Sequence, residues 1–178
     1  MGGVFFRAPG FFIGAAARGR RSMNHIRKSL VVPYSARQMF DLVDGVERYP
    51  EFLPWCAKTE VLLREGDRLE ALLYMDWFKV KQRFGTRNVN VPGRRIDMDV
   101  LEGPFKSLKG SWEFADCGSV GCAVDFRLDY EFRGALLTRL INPVFSGIYS
   151  NLLDSFIKEA RARYAYDGRA KGGGGDRG

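Results

Sequence analysis

Chemistry-bearing residues are scarce in this chain. Its single histidine, His25, and its three cysteines, Cys56, Cys117 and Cys122, form no CxxC pair and none of the spacings that a zinc site, a haem attachment or a disulfide-stapled secreted scaffold needs. A reducing compartment suits such a set. Ser-His-Asp and Cys-His arrangements are equally unsupported. The carboxylates Asp97 and Asp99 fall on the polar side of an alternating stretch, so neither a catalytic residue nor a metal ligand is expected. His25 reads as structural or surface. Apolar runs stop well short of the roughly 18 residues that cross a bilayer, and a water-soluble protein is expected.

Acidic residues are missing from positions 1–22, which hold four arginines among Phe, Gly and Ala. Two readings stand for this extension: an organelle transit peptide, Arg-rich and acid-poor, or a start codon placed too early, since Met23 directly precedes the first strand pattern. Positions 167–178, ending "GRAKGGGGDRG", have nothing to bury, and disorder is expected at both ends. These ends also carry most of the charge imbalance. Of 28 basic residues four lie in 1–22 and three in 167–178, and of 21 acidic residues two lie in 167–178, so 23–166 holds 21 basic against 19 acidic. The net charge of +7 therefore does not describe the folded part. No DNA partner is expected, and any basic site must be local.

What is present is enough for one domain: 178 residues, 46% hydrophobic and 28% charged. A first strand pattern runs from Ile26 to Val32. Ser35 followed by Gln38 then forms a capping box, opening a short helix with Met39, Leu42 and Val43 inward and Gly45 at its end. "VERYPEFL" makes one or two more turns before Pro50 and Pro54 forbid a longer helix. From Trp55 to Arg133 strand follows strand. The clearest alternates Val120, Cys122, Val124, Phe126, Leu128, Tyr130 and Phe132 with polar residues, and Val80, Gln82, Phe84 and Thr86 alternate with Lys79, Lys81, Arg83 and Arg87. Turns at Gly66, Gly93, Gly103 and Gly118 separate five or six strands into a meander. Asn142-Pro143 reads as the start of a long amphipathic helix with Val144, Ile148, Leu152 and Phe156 on its apolar face.

One apolar sheet face and one apolar helix face make an α+β fold, a curved antiparallel sheet wrapped around the last helix. A gap between the two is expected, with "YPEFLPWC" as a rigid apolar lip at its rim.

The order of elements resembles the START, or helix-grip, superfamily. "VPYSARQMFDLVDGVERYPEFLPWC", "TRNV", "GPFKSLKGSWEF", "YEFRGALL" and "PVFSGIYSNLLDSFIKEARARY" are similar to the coenzyme-Q-binding protein family, and in particular to its bacterial branch, described as ribosome-association toxins. The resemblance runs from about Met23 to Tyr166, within a START-like lipid-binding domain over 23–166. It implies a non-enzymatic hydrophobic cavity holding ubiquinone (coenzyme Q) or another isoprenoid lipid, with roles in respiration and coenzyme Q biosynthesis. It equally implies an alternative, binding to the large ribosomal subunit that blocks subunit joining. The implied location is the bacterial cytoplasm with peripheral contact at the inner membrane, or alternatively the matrix side of the mitochondrial inner membrane. Gly85 departs from the family pattern, where bulkier or hydroxyl residues are more frequent, and leaves the cavity size open.

On that reading the cavity lining is Phe52, Leu53, Trp55, Phe84, Phe105, Leu108, Trp112, Val144, Ile148 and Leu152, with Gln82, Thr86 and Tyr130 as inward polar groups to orient a head group. Lys79, Lys81, Arg83 and Arg87 form an outward cationic stripe for ribosomal RNA or anionic lipid.

Overall fold

The computed structural model describes residues 23–77 and 79–164; the extension 1–22 and the tail 167–178 lie outside the described residues. In chain order the elements are β1 (Asn24–Val32), α1 (Ala36–Asp44), a 3-10 turn (Val46–Arg48), α2 (Tyr49–Phe52), β2 (Cys56–Glu65), β3 (Arg68–Trp77), β4 (Val80–Val91), β5 (Arg95–Glu102), β6 (Phe105–Asp116), β7 (Cys122–Phe132), α3 (Ala135–Ser150) and α4 (Leu152–Tyr164). Among the described residues seven strands form one antiparallel sheet, in the order β1-β7-β6-β5-β4-β3-β2. Strands β2 to β7 are the expected meander, and β1 closes the far edge on β7.

The capping box forms as read: Ser35 Oγ accepts from the Gln38 amide at 3.2 Å, and Gln38 Oε1 accepts from the Ser35 amide at 2.9 Å. Period-2 patterning decides which sheet face is covered. In β7, Cys122, Val124, Phe126, Leu128, Tyr130 and Phe132 are all buried, while their neighbours are partly or fully exposed. Val120 falls outside that strand, in a 3-10 turn, and is exposed. The covered face meets α1, α3 and α4, with Met39, Phe145, Phe156 and Ala160 among the helix residues buried there.

The last helix departs from its expected form in two places. It begins at Ala135 after Gly134, whose φ is 83°, so Pro143 lies inside the helix and Asn142 is no cap. Five of the seven residues from Ala135 to Ile141 are Ala, Leu or Arg, strong helix formers. Proline removes only the bond to the Arg139 carbonyl, on a solvent-facing side where water can replace it. Asn142 instead accepts a hydrogen bond from the Tyr130 hydroxyl at 2.9 Å. The second departure is a break at Asn151 (φ −106°, ψ 2°), which divides the rod into α3 and α4.

Candidate functional site

The aromatic-proline segment is more than a rim. Leu53 and Trp55 are buried, the Tyr49 hydroxyl donates to the Val43 carbonyl at 2.6 Å, and the Tyr49 and Phe52 rings pack edge-on against Phe156 of α4 at 5.5 and 5.2 Å. The Asp76 amide donates to the Trp55 carbonyl at 2.9 Å, tying the segment to β3. Pro50 and Pro54 stiffen the chain so that the rings reach α4 at little entropic cost.

Beside this segment, between the sheet and the helices, lies a partly open cavity of about 50 Å³. Its wall is mostly aromatic, with Tyr49, Trp55, Phe84, Trp112, Phe126, Tyr149 and Phe156 joined by Val46, Leu73, Met98 and Leu152. Two polar side chains enter it, Thr86 and Asn88, consecutive inward positions of β4 that are only 8% and 5% exposed. Asn88 Oδ1 is buried without a hydrogen-bond partner among the described residues. The next inward residue, Asn90, donates through Nδ2 to Asp44 Oδ1 at 2.6 Å, yet its own Oδ1 is likewise unpaired. Burial holds the Tyr149 hydroxyl well above its ordinary pKa, so it stays a neutral phenol at the cavity wall.

The volume corrects the expected gap. About 50 Å³ is room for one or two waters, whereas ligand pockets span about 300–1,000 Å³. Side chains fill the remainder: Phe145 packs against Tyr149, Tyr130 and Phe105 at 4.5 to 5.2 Å, and Trp112 against Phe126 at 4.4 Å. Sheet and helix meet nearly everywhere because the rings interdigitate.

Of the residues expected in the lining, Trp55, Phe84, Thr86, Trp112 and Leu152 border the cavity. Leu53, Phe105, Leu108, Tyr130 and Ile148 are buried elsewhere in the same core, and Phe52, Gln82 and Val144 are half-buried. Asn88 is not among the residues expected from the sequence, although it continues the inward alternation of Gln82, Phe84 and Thr86. Gly85 does not set the cavity size. It points to the opposite face, where an added Cβ would meet Leu72, Glu102 and Leu101.

The cationic stripe resolves into pairs. Lys81 lies 3.2 Å from Asp76, Arg83 2.7 Å from Glu102 and Arg87 2.6 Å from Glu70. Lys79 sits in the β3–β4 turn with φ 65°, outside the strand, and has no ion pair among the described residues. Across the sheet, register sets Asp129, Lys109, Asp99, Arg87 and Glu70 side by side, a row of alternating sign, with His25 of β1 next to Asp129. A larger hollow of about 420 Å³ on this outer face is lined by both signs, Arg27, Lys109 and Arg127 with Asp97, Asp99 and Asp129.

A helix-wrapped antiparallel sheet enclosing an aromatic cavity matches, over residues 32–157, the family described as polyketide cyclase / dehydrase and lipid transport. The chain belongs to that family. It is 39% identical over 140 residues to the ribosome association toxin RatA of Pseudomonas aeruginosa, covering 79% of this chain and 97% of the relative. It is 28% identical over 142 residues to the mitochondrial coenzyme Q-binding protein COQ10 homolog B of Xenopus laevis, covering 77% and 58%. The aromatase/cyclase ZhuI of Streptomyces sp. R1128 superposes with a TM-score of 0.73 at 20% identity, covering 86% of this chain and all of that one, a likeness of fold alone. The motif resemblance thus holds, within the ribosome-association and coenzyme-Q-binding relatives. Those relatives bear names of binding proteins, while some neighbours in fold are cyclases. Among the described residues no group of three or more His, Cys, Asp or Glu is placed to hold a metal, and no helix is long and apolar enough to cross a membrane.

Proposed function

We propose that the protein is a non-enzymatic binder of ubiquinone or a related isoprenoid lipid, supporting respiration and coenzyme Q biosynthesis. The observation that carries this reading is the interior cavity, walled by aromatic rings and furnished with two buried polar side chains, Thr86 and Asn88, the second with an Oδ1 that has no partner among the described residues. Most buried polar groups are paired with protein or ordered water, so an acceptor with no protein partner at the cavity wall is open to a bound molecule. The family's description and the name of the Xenopus relative support the same chemistry. At about 0.8 kcal/mol per buried CH₂, a few isoprene units supply several kcal/mol, and part of that widens the cavity, since its volume as it stands admits no guest. Leu136 and Leu140, 72% and 62% exposed on the outer side of α3 with Arg139 between them, suit peripheral contact with an anionic bilayer from which the guest is taken. The cell location that follows is the bacterial cytoplasm at the inner membrane.

Native mass spectrometry and organic extraction of the purified protein test this reading. A quinone or isoprenoid is expected in the extract, and Leu53→Asp, which disturbs the aromatic-proline segment, is expected to lose it while Lys81→Ala keeps it. Protein that is repeatedly empty and takes no quinone from liposomes rules the reading out.

A second reading, binding to the large ribosomal subunit, is favoured by the names of relatives matched along nearly their whole length, which speak of ribosome association. Overproduction followed by sucrose-gradient profiling is its test. Accumulated free subunits support it, and an unchanged profile with a respiratory defect on deletion removes it.

A further inference from the structure

Asn88 stands out in the interior. It lies between Leu69 of β3 and Met98 of β5 in the sheet register, it is 5% exposed, and it borders the cavity with an acceptor oxygen that none of the described residues satisfies. A buried acceptor of this kind favours whichever guest brings a donor. Quinone oxygens, carbonyl and alkoxy alike, only accept. A hydroquinone carries two O–H donors on the same ring. Thr86, whose hydroxyl can both donate and accept, tolerates either state, so discrimination falls to Asn88.

We propose that the cavity selects the reduced, hydroquinone form of its guest, with a ring hydroxyl donating to Asn88 Oδ1. This rests on the quinone reading above and adds a redox preference to it. The aromatic wall takes the ring of either form, because stacking on Trp112, Trp55 or Tyr149 does not depend on the hydroxyl proton. The preference therefore belongs to one hydrogen bond, and leaving that acceptor unpaired weakens the oxidised guest by about tenfold.

Anaerobic isothermal titration of the full chain with a short-tailed soluble benzoquinone, and separately with its hydroquinone, tests the proposal. The hydroquinone is expected to bind about tenfold more tightly. Asn88→Leu should erase the difference by weakening the hydroquinone alone, at an unchanged or higher melting temperature. Equal affinities in the wild-type protein, or a preference for the quinone as a carboxamide turned to offer Nδ2 would give, overturn the inference and leave the quinone reading standing. Failure of both states to bind, together with empty extracts, removes the quinone reading itself and this inference with it. Should Asn88→Leu fail to fold, the wild-type comparison decides alone. A crystal structure adds a further check: water on Asn88 Oδ1 displaced by the hydroquinone supports the inference, and water retained there in the complex contradicts it.

Discussion

Two of the three thiols are sealed in the core. Burial pushes Cys56 and Cys122 up to about 11, so almost no thiolate exists at neutral pH, whereas Cys117 is exposed. One rapid and two slow equivalents are therefore expected when native protein meets a thiol reagent at pH 8, and all three react in denaturant. Three rapid equivalents would show the core open to reagent. Asp129 is held in the opposite direction. Partial burial acts to raise its pKa, but hydrogen bonds from His25 and Arg27 at 2.5 and 2.6 Å outweigh it and hold the carboxyl below its ordinary value. A depressed folded pKa stabilises above the unfolded value near 3.9 and is lost as pH falls through the folded one. Asp129→Asn should lower the urea midpoint at pH 7, and the gap to wild type should be narrower at pH 2.5. An equal gap at both pH values would assign the loss to something other than charge.

At the scale of elements, sequence reading succeeded where a pattern is local. The capping box, the glycine-marked turns and the alternation in β7 are each decided within a few residues, and each is present. It failed where a distant partner decides. Asn142-Pro143 has the local form of a helix start, but the apolar residues from Leu136 to Ile141 extend the helix, and Tyr130, remote in sequence, takes the Asn142 side chain. The gap beneath the lip failed similarly, because how far rings from six elements interlock is no property of any one of them. Gly121 illustrates a local conformation with a distant cause. It stands at φ 120°, ψ −130°, and an added Cβ would run into the backbone carbonyl of Val32 where β1 ends on β7. Gly121→Ala is expected to cost more than about 3 kcal/mol, as both strain and collision apply. Gly66→Ala, also at positive φ but with open space around its Cβ, should cost only about 1–2 kcal/mol. Equal losses in urea unfolding would mean that the contact with β1 contributes nothing.

For the whole molecule, the charge row across five strands is illegible in the sequence because each strand contributes one residue to it and the neighbour of opposite sign arrives only by register. The outer face is thereby self-neutralised, and the unsatisfied chemistry lies inside. Access to it is a question of mechanics. A cavity of about 50 Å³ holds no ring, so the proposed lipid binding requires the site to widen, and α3 is the element expected to move. That helix is bounded by Gly134 at φ 83° and the break at Asn151, it carries Pro143 within, and its outer side is bare. Opening then precedes capture, and apparent affinity is reduced by the fraction of molecules open. In stopped-flow mixing with a soluble quinone, the observed rate should level off at high ligand concentration, at the opening rate. Ile148→Ala trims a buried contact of α3 and should raise that plateau several-fold while lowering the melting temperature by several degrees. A rate that climbs linearly with ligand far above the dissociation constant, identical in both proteins, would mean that an open cavity already dominates in solution.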